Sequence, residues 1–422
     1  MTRSFIAIFA LVFLFVAPLS ATRSRHKEAN SSRGRIAPRA AAATPLVQRP
    51  VTGKQRPAAR TTPTRGKVAP PLRQRQLKTL HGKLVRKPVR RKVYVSPWKE
   101  PTYADSSEGD LTAGDDPMVR QAATEALGPL NGSVVVADPQ TGRILTVVNQ
   151  QVAFRESYTP CSTIKIFVGL AGLSEGVIER TTDVKIGRRN SLNLTEALAR
   201  SDNPYFASVG QQLGFDRVNY YARLFGLGER ATTSRREIPG AIEGSAPDGV
   251  GMMSSFGHGV KLTPLQLAAA LTAVANGGTL YHLQYPASQT EATRLTPRIK
   301  RHIEIEQFLP EIKPGMAAAV EIGTARRAGF DPEEPIYGKT GTCTDRLTPT
   351  HLGWFGSYNE VAGRKLVVVV LLTGGAPING PVASGVAGRV YRKLSDQGYY
   401  DKTRQISSAA LVDSLATGFG QP

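Results

Sequence analysis

Cysteine is nearly absent from this chain: its 422 residues include two, Cys161 and Cys343, and six histidines that form no paired spacing. That leaves no Cys/His ligand set of the kind that holds a structural metal, so neither a metal nor a cofactor is expected. Acidic residues are missing from one region. From Arg23 to Lys99 there are 22 lysines and arginines against a single acid, Glu28. From Glu100 onward, 31 basic residues meet 32 acidic ones. The net charge of +21 therefore sits in the first hundred residues. Such a balance describes a basic tail rather than a nucleic-acid-binding domain. Internal repeats are absent, and long apolar runs are scarce.

The exception among apolar runs is Phe5 to Ala17, thirteen residues that follow Met1-Thr2-Arg3-Ser4 and precede Pro18-Leu19-Ser20-Ala21. A short basic start, an apolar core and small residues at the end form an export signal. At 1.5 Å per residue the run reaches roughly 20 Å, short of a hydrocarbon core of about 30 Å. Residues 1–21 are read as a leader cut after Ala21, with a short membrane anchor as the alternative. The chain is thus expected outside the cytoplasm, periplasmic or otherwise extracytoplasmic, which removes nucleic acid as a partner of the tail.

Residues 22–116 are rich in Pro, Arg, Lys, Thr and Ala, with only scattered hydrophobes. Too little apolar surface is available to offset the entropy of ordering. The segment is read as a disordered basic linker, with Trp98 and Tyr103 candidates to dock on the domain C-terminal to it. It serves either as a self-repelling tether or, through residues 22–99, as a contact with anionic lipids or wall polymers.

A folded domain is expected over 117–400, followed by a tail at 401–422. Asp116 and Pro117 look like an N-cap and first helical residue. Gly132–Val136 and Ile144–Val148 flank a turn at Asp138–Gly142, the layout of a hairpin. A mainly helical stretch runs from Thr195 to about Ala328, and strands return at Gly338–Cys343, Gly353–Tyr358 and Leu366–Leu372. Strands bracketing a helical insertion indicate an α+β fold: an antiparallel sheet with helices packed on it, plus a mainly helical subdomain, with the active site between them.

The chemistry centres on Ser162-Thr163-Ile164-Lys165. Residues i and i+3 share a helix face, so Lys165 can reach the Ser162 hydroxyl and take its proton. The apolar neighbours Ile164, Ile166, Phe167 and Leu170 would strip the lysine of water and lower its pKa. The same spacing at Ser24–Lys27 and Ser96–Lys99 lies in the basic tail, without apolar periodicity, and is set aside. Ser201-Asp202-Asn203 follows a short helical run at Leu194–Arg200 and precedes Pro204, which suits a loop aimed into a cleft. Ser191-Leu192-Asn193 shares its pattern, as does Ser357-Tyr358-Asn359, which is read as a turn at a strand end. Lys339-Thr340-Gly341, followed by Thr342, occurs once.

Serine with lysine three on, serine with asparagine two on, then Lys-Thr-Gly, in that order, resembles the penicillin-binding protein transpeptidases and related serine β-lactamases. Phe256–Gly259, Leu262–Leu267, Ala275–Gly278, Gly315–Ala325 and Gly380–Ala383 extend the resemblance over roughly 117–394. It implies acyl transfer at D-Ala-D-Ala bonds of peptidoglycan stem peptides, with β-lactams as covalent inhibitors. Ser162 would be the nucleophile and Lys165 its base. Ser201 would relay the proton to the leaving amine, and Asn203 would pair with the substrate amide through both donor and acceptor. Lys339, Thr340 and Thr342 would receive the substrate carboxylate beside Gly341, with the backbone N–H groups of Ser162 and Thr342 stabilising the oxyanion.

The resemblance leaves transpeptidase and carboxypeptidase open, since the two differ only in the acceptor. A class D-like β-lactamase is the alternative, disfavoured by Asn203; a non-hydrolytic β-lactam receptor or pseudoenzyme ranks third. No glycan-polymerising domain fits before residue 116. The resemblance also makes Cys161 and Cys343 neighbours, as a disulfide in an oxidising compartment or as two small buried side chains.

Overall fold

The computed structural model describes residues 98–188, 190–345 and 349–401. The leader expected at 1–21, the linker through residue 97 and the tail beyond Asp401 lie outside them. Among the described residues no helix is long and apolar enough to cross a membrane.

In chain order the principal elements are α1 (Pro117–Leu127), β1 (Gly132–Ala137), β2 (Ile144–Val148), α2 (Lys165–Ser174), α3 (Leu194–Arg200), α4 (Asn203–Leu224), α5 (Pro264–Asn276), α6 (Leu309–Glu321), β3 (Ile336–Asp345), β4 (Thr350–Val361), β5 (Arg364–Gly374) and α7 (Gly380–Asp396). Shorter helices and two-stranded ribbons connect them. α1 begins where the sequence indicates: the Asp116 carboxylate accepts from the backbone N–H of Met118 and Val119, both at 3.1 Å. Pro117 fills the first helical position, where no N–H is needed.

Five strands form one antiparallel sheet in the order β2-β1-β5-β4-β3. Central β5 runs from Leu366 to Leu372 without a polar residue because both of its faces are covered. Val367, Val369 and Leu371 face the leucines of α5, in the same apolar core that takes in Ile166, Phe167 and Leu170 of α2. Leu366, Val368, Val370 and Leu372 face α7, in a second core that also takes in α1. A strand buried on both sides reads as a continuous apolar run, and each such side chain contributes roughly 1.5–3 kcal/mol on burial. The helices α3 to α5 join the α2 core, and α6 contributes Ile312 and Met316 to that core and Ala319 and Val320 to the other, so the fold is α+β built on the sheet.

Two expectations are corrected. Ser357-Tyr358-Asn359 is no turn but lies within β4. Ser357 Oγ donates to the Val368 carbonyl at 3.0 Å, while Asn359 donates to the Tyr400 hydroxyl at 2.8 Å and accepts from Leu366 N–H. Buried polar side chains are tolerated in a central strand when so satisfied.

The linker drawn to residue 116 is ordered on the domain from Trp98 onward. The Trp98 ring lies 4.2 Å from that of His351, and Lys99 N–H donates to the Pro349 carbonyl. Asp110 accepts from the N–H groups of Asn149 and Gln150 and pairs with Arg120. Asp115 accepts from Thr146 and Tyr285. These attachments are carboxylates satisfying backbone and hydroxyl donors, which leave no apolar periodicity in the sequence. The charge break at Glu100 is the signal that coincides with the boundary.

Candidate active site

The turn Cys161–Ile164 is a single 3₁₀ turn that leads into α2. It is pinned to the sheet by Trp354, whose Nε1–H donates to the Thr159 carbonyl at 3.0 Å. Ser162 is 8% exposed and Lys165 is fully buried. Lys165 Nζ lies 3.2 Å from Ser162 Oγ, as the i, i+3 spacing requires. The same ammonium position is 2.7 Å from the Ser201 carbonyl, 3.2 Å from Ser201 Oγ and 2.6 Å from Asn203 Oδ1. Burial among Ile164, Ile166 and Phe206 brings the Lys165 pKa down to about 7, against the opposing pull of the Asp202 carboxylate. At neutral pH a large fraction of this amine is therefore unprotonated and able to accept a proton.

Ser201 reaches the site because two helices meet there. It ends α3 in the left-handed conformation, φ 57° and ψ 43°, which turns both its carbonyl and its hydroxyl toward Lys165. Asp202 then caps α4, accepting from Tyr205 N–H at 2.7 Å, and Asn203 is the first helical residue. The sequence Ser-Asp-Asn-Pro is thus a helix stop followed by a helix start. Asn203 Oδ1 accepts from Lys165, which ties the side chain to the amine beside Ser162.

β3 is an edge strand of the sheet, and it lies directly against the Cys161–Ile164 turn that carries Ser162. A side chain at Gly341 would stand 2.9 Å from the Pro160 carbonyl and 3.2 Å from Cys161 Cβ, so only glycine allows this approach. Two residues on, Cys343 is joined to Cys161 by a disulfide, with Cα atoms 5.7 Å apart. Lys339 is fully buried rather than presented on the cleft surface as a solvated cation. Its Nζ donates to the Thr340 carbonyl at 3.0 Å. Desolvation, and then the charge of Lys165, hold its pKa well below the ordinary lysine range. The Thr340 hydroxyl is 2.6 Å from that of Thr324. The Thr342 side chain is exposed, its hydroxyl accepting from Gly380 N–H at 2.8 Å.

The structure thus gathers Ser162, Lys165, Ser201 and Asn203 around one amine, with the Lys339–Thr342 strand beside them. Two participants carried no assigned role in the sequence. The Ser255 carbonyl accepts from Ser162 Oγ at 3.4 Å, and Thr324 buttresses Thr340. The Gly323-Thr324-Ala325 segment marked the second, whereas a backbone carbonyl leaves no mark in residue identity. Among the described residues no group of three or more His, Cys, Asp or Glu side chains could hold a metal ion.

Comparison with known proteins gives the site a context. The family described as penicillin binding protein transpeptidase domain matches residues 132–396. The peptidoglycan D,D-transpeptidase PbpA of Mycobacterium tuberculosis is 26% identical over 344 residues, covering 65% of this chain and 69% of that protein. Stage V sporulation protein D of Bacillus subtilis is 25% identical over 331 residues, covering 67% of this chain and 50% of that protein. Among solved structures, Pseudomonas aeruginosa PBP2, determined in complex with WCK 5153, aligns with a TM-score of 0.57 at 24% identity. That alignment covers 69% of this chain and 76% of that one. PBPA of Mycobacterium tuberculosis aligns with a TM-score of 0.55 at 22% identity, covering 66% and 78% of the two chains. These two likenesses concern the fold.

Proposed function

The chain belongs to the penicillin-binding protein transpeptidase family, and on that premise we propose that it is a peptidoglycan D,D-transpeptidase that works through an acyl-enzyme on Ser162. The observation that carries this reading is the placement of Lys165 Nζ, 3.2 Å from Ser162 Oγ, with a pKa of about 7. The neutral amine accepts the hydroxyl proton as Ser162 Oγ attacks the carbonyl between the two D-alanines of a stem peptide. The backbone N–H groups of Ser162 and Thr342 receive the developing oxyanion. As the tetrahedral intermediate collapses, the proton passes from Lys165 through the Ser201 hydroxyl to the departing D-alanine amine. Attack by an acceptor amine on the ester then forms the new peptide bond and frees Ser162.

Substrate recognition divides between two walls. The Asn203 NH₂ faces the ligand from the helical side. The Thr342 hydroxyl, with Thr340 and the buried Lys339 behind it, faces the terminal carboxylate from the sheet side. The folded catalytic unit spans residues 98–401, and the protein is exported so that this unit meets peptidoglycan outside the cytoplasmic membrane. β-Lactams acylate the same serine. The basic segment before residue 98 acts as a tether with an affinity for anionic envelope polymers.

Intact-mass analysis after incubation with benzylpenicillin tests the reading. A lasting adduct, mapped to the peptide containing Ser162 and absent from Ser162→Ala, is expected. Rapid return to the free mass would make the chain a β-lactamase, and absence of any adduct would contradict the proposal.

A further inference from the structure

The proposed reaction makes no use of Cys161 and Cys343, although both lie beside it. Cys161 directly precedes Ser162, and Cys343 directly follows Thr342. Their bond therefore joins the residue before one oxyanion donor to the residue after the other, across a Cα–Cα distance of 5.7 Å. We propose that the Cys161–Cys343 disulfide is a positioning element for the acylation step: it fixes the spacing of the Ser162 and Thr342 backbone N–H groups, and its reduction slows acylation while leaving ligand recognition in place. The inference rests on the reading of Ser162 as the nucleophile.

Three features make this bond more than a staple. First, β3 is hydrogen-bonded to the sheet along one side only, through β4. Its other side, which the Ser162 turn approaches, pairs with no strand among the described residues. Second, Cys161 sits at φ 51°, in the left-handed region that a side chain other than glycine adopts only under constraint. The bond thus attaches to the chain at a sterically restricted backbone position, one residue from Ser162. Third, the carboxylate-facing hydroxyls are anchored independently of the cysteines. Thr340 is tied to Thr324, and Thr342 to the N-terminus of α7. The strand can thus keep its ligand contacts while the gap between the two N–H donors loosens.

The oxyanion exists only on the way through the transition state, so loss of spacing there lowers the rate rather than the affinity. Displacement by about 1 Å is enough for roughly a hundred-fold loss, and removal of one donor costs about a hundred- to a thousand-fold. Cleavage needs a reductant, and a dithiol supplies it. Its thiolate attacks the half-buried Cys343 sulfur, Cys161 being fully enclosed. The sulfur–sulfur bond breaks, two electrons and two protons pass to the protein, and the dithiol leaves as its own disulfide.

The test measures acylation by nitrocefin in the full chain before and after dithiothreitol treatment, well below the melting temperature, with thiols counted in each sample. Reduction to two thiols should lower the limiting acylation rate about tenfold or more, leave half-saturation within about twofold, and be reversed by reoxidation. A Cys161→Ser/Cys343→Ser double variant should behave as the reduced protein and ignore dithiothreitol. A reduced, cooperatively melting protein that acylates at the oxidised rate would overturn the inference. So would a rate loss that appears only together with loss of cooperative melting, since the bond would then be a stabilising link and no more. An oxidised protein that forms no adduct on Ser162 would instead contradict the functional reading beneath it.

Discussion

Lys165 Nζ and Ser162 Oγ stand 3.2 Å apart at a position where the amine is fully buried and its pKa lies at about 7. A protonated lysine cannot take a proton, so the rate of acylation should rise with pH up to about 7 and level off above it. On the acid side it should fall about tenfold per pH unit. Asp202 is the group whose charge raises this pKa. Asp202→Asn keeps an N-cap oxygen for α4 and should shift the profile to lower pH. Stopped-flow acylation across pH 5–9 checks both; a profile independent of pH would exclude Lys165 as the base.

Replacing the amine separates charge from basicity. Lys165→Ala should slow acylation by about a hundred-fold or more, the scale of a lost general base. Lys165→Arg should not rescue it, because a guanidinium stays charged throughout the accessible pH range. Circular dichroism on both variants establishes that the fold persists, and recovery of wild-type acylation in Lys165→Arg would point to a purely electrostatic role.

At Gly341 a methyl group would meet the Pro160 carbonyl at 2.9 Å and Cys161 Cβ at 3.2 Å. Gly341→Ala should push β3 away from the nucleophile's turn, with acylation lowered about tenfold or more, on the scale of sub-ångström to ångström misplacement. Melting should drop by several degrees, corresponding to about 1–3 kcal/mol of overpacking. Unchanged acylation and melting would mean that the strand has room to spare.

How much of the fold and site was legible in the residues depended on whether partners were near in sequence. The Ser162–Lys165 pairing is local geometry, and the Ser201–Asn203 turn is written in the helix stop and start around it. Strands β1, β2 and β5 were visible as apolar runs. The burial of Lys339 was not, because a lysine in a strand looks like a surface residue until the elements that cover it are known. Asn203 likewise gave no sign that Lys165 would occupy its oxygen. Ser357 and Asn359 looked like a turn because their partners, Tyr391 and Tyr400, lie more than thirty residues away. Residues 98–116 looked like linker because Asp110 and Asp115 attach them through hydrogen bonds rather than apolar contacts.

That attachment predicts how truncation behaves. A chain beginning at Trp98 should melt cooperatively and bind penicillin as the longer protein does. One beginning at Pro117 lacks Asp110 and Asp115 and leaves the buried Thr146 hydroxyl and the Gln150 N–H without their carboxylate partners. Each such loss costs about 1–3 kcal/mol, so its melting temperature should fall clearly below that of the Trp98 chain. Equal melting would show that the segment rests on the domain without supporting it.

The proposed reaction is acyl transfer through Ser162 from a D-Ala-D-Ala donor. Its most direct measurement is a single-turnover reaction of the full chain with a synthetic stem pentapeptide and an amine acceptor, quenched and followed by mass spectrometry. One D-alanine should be released for each ester formed on Ser162, and that acyl group should then pass to the amine. Cross-linked product appearing without an intermediate on Ser162, or formed equally well by Ser162→Ala, would contradict it.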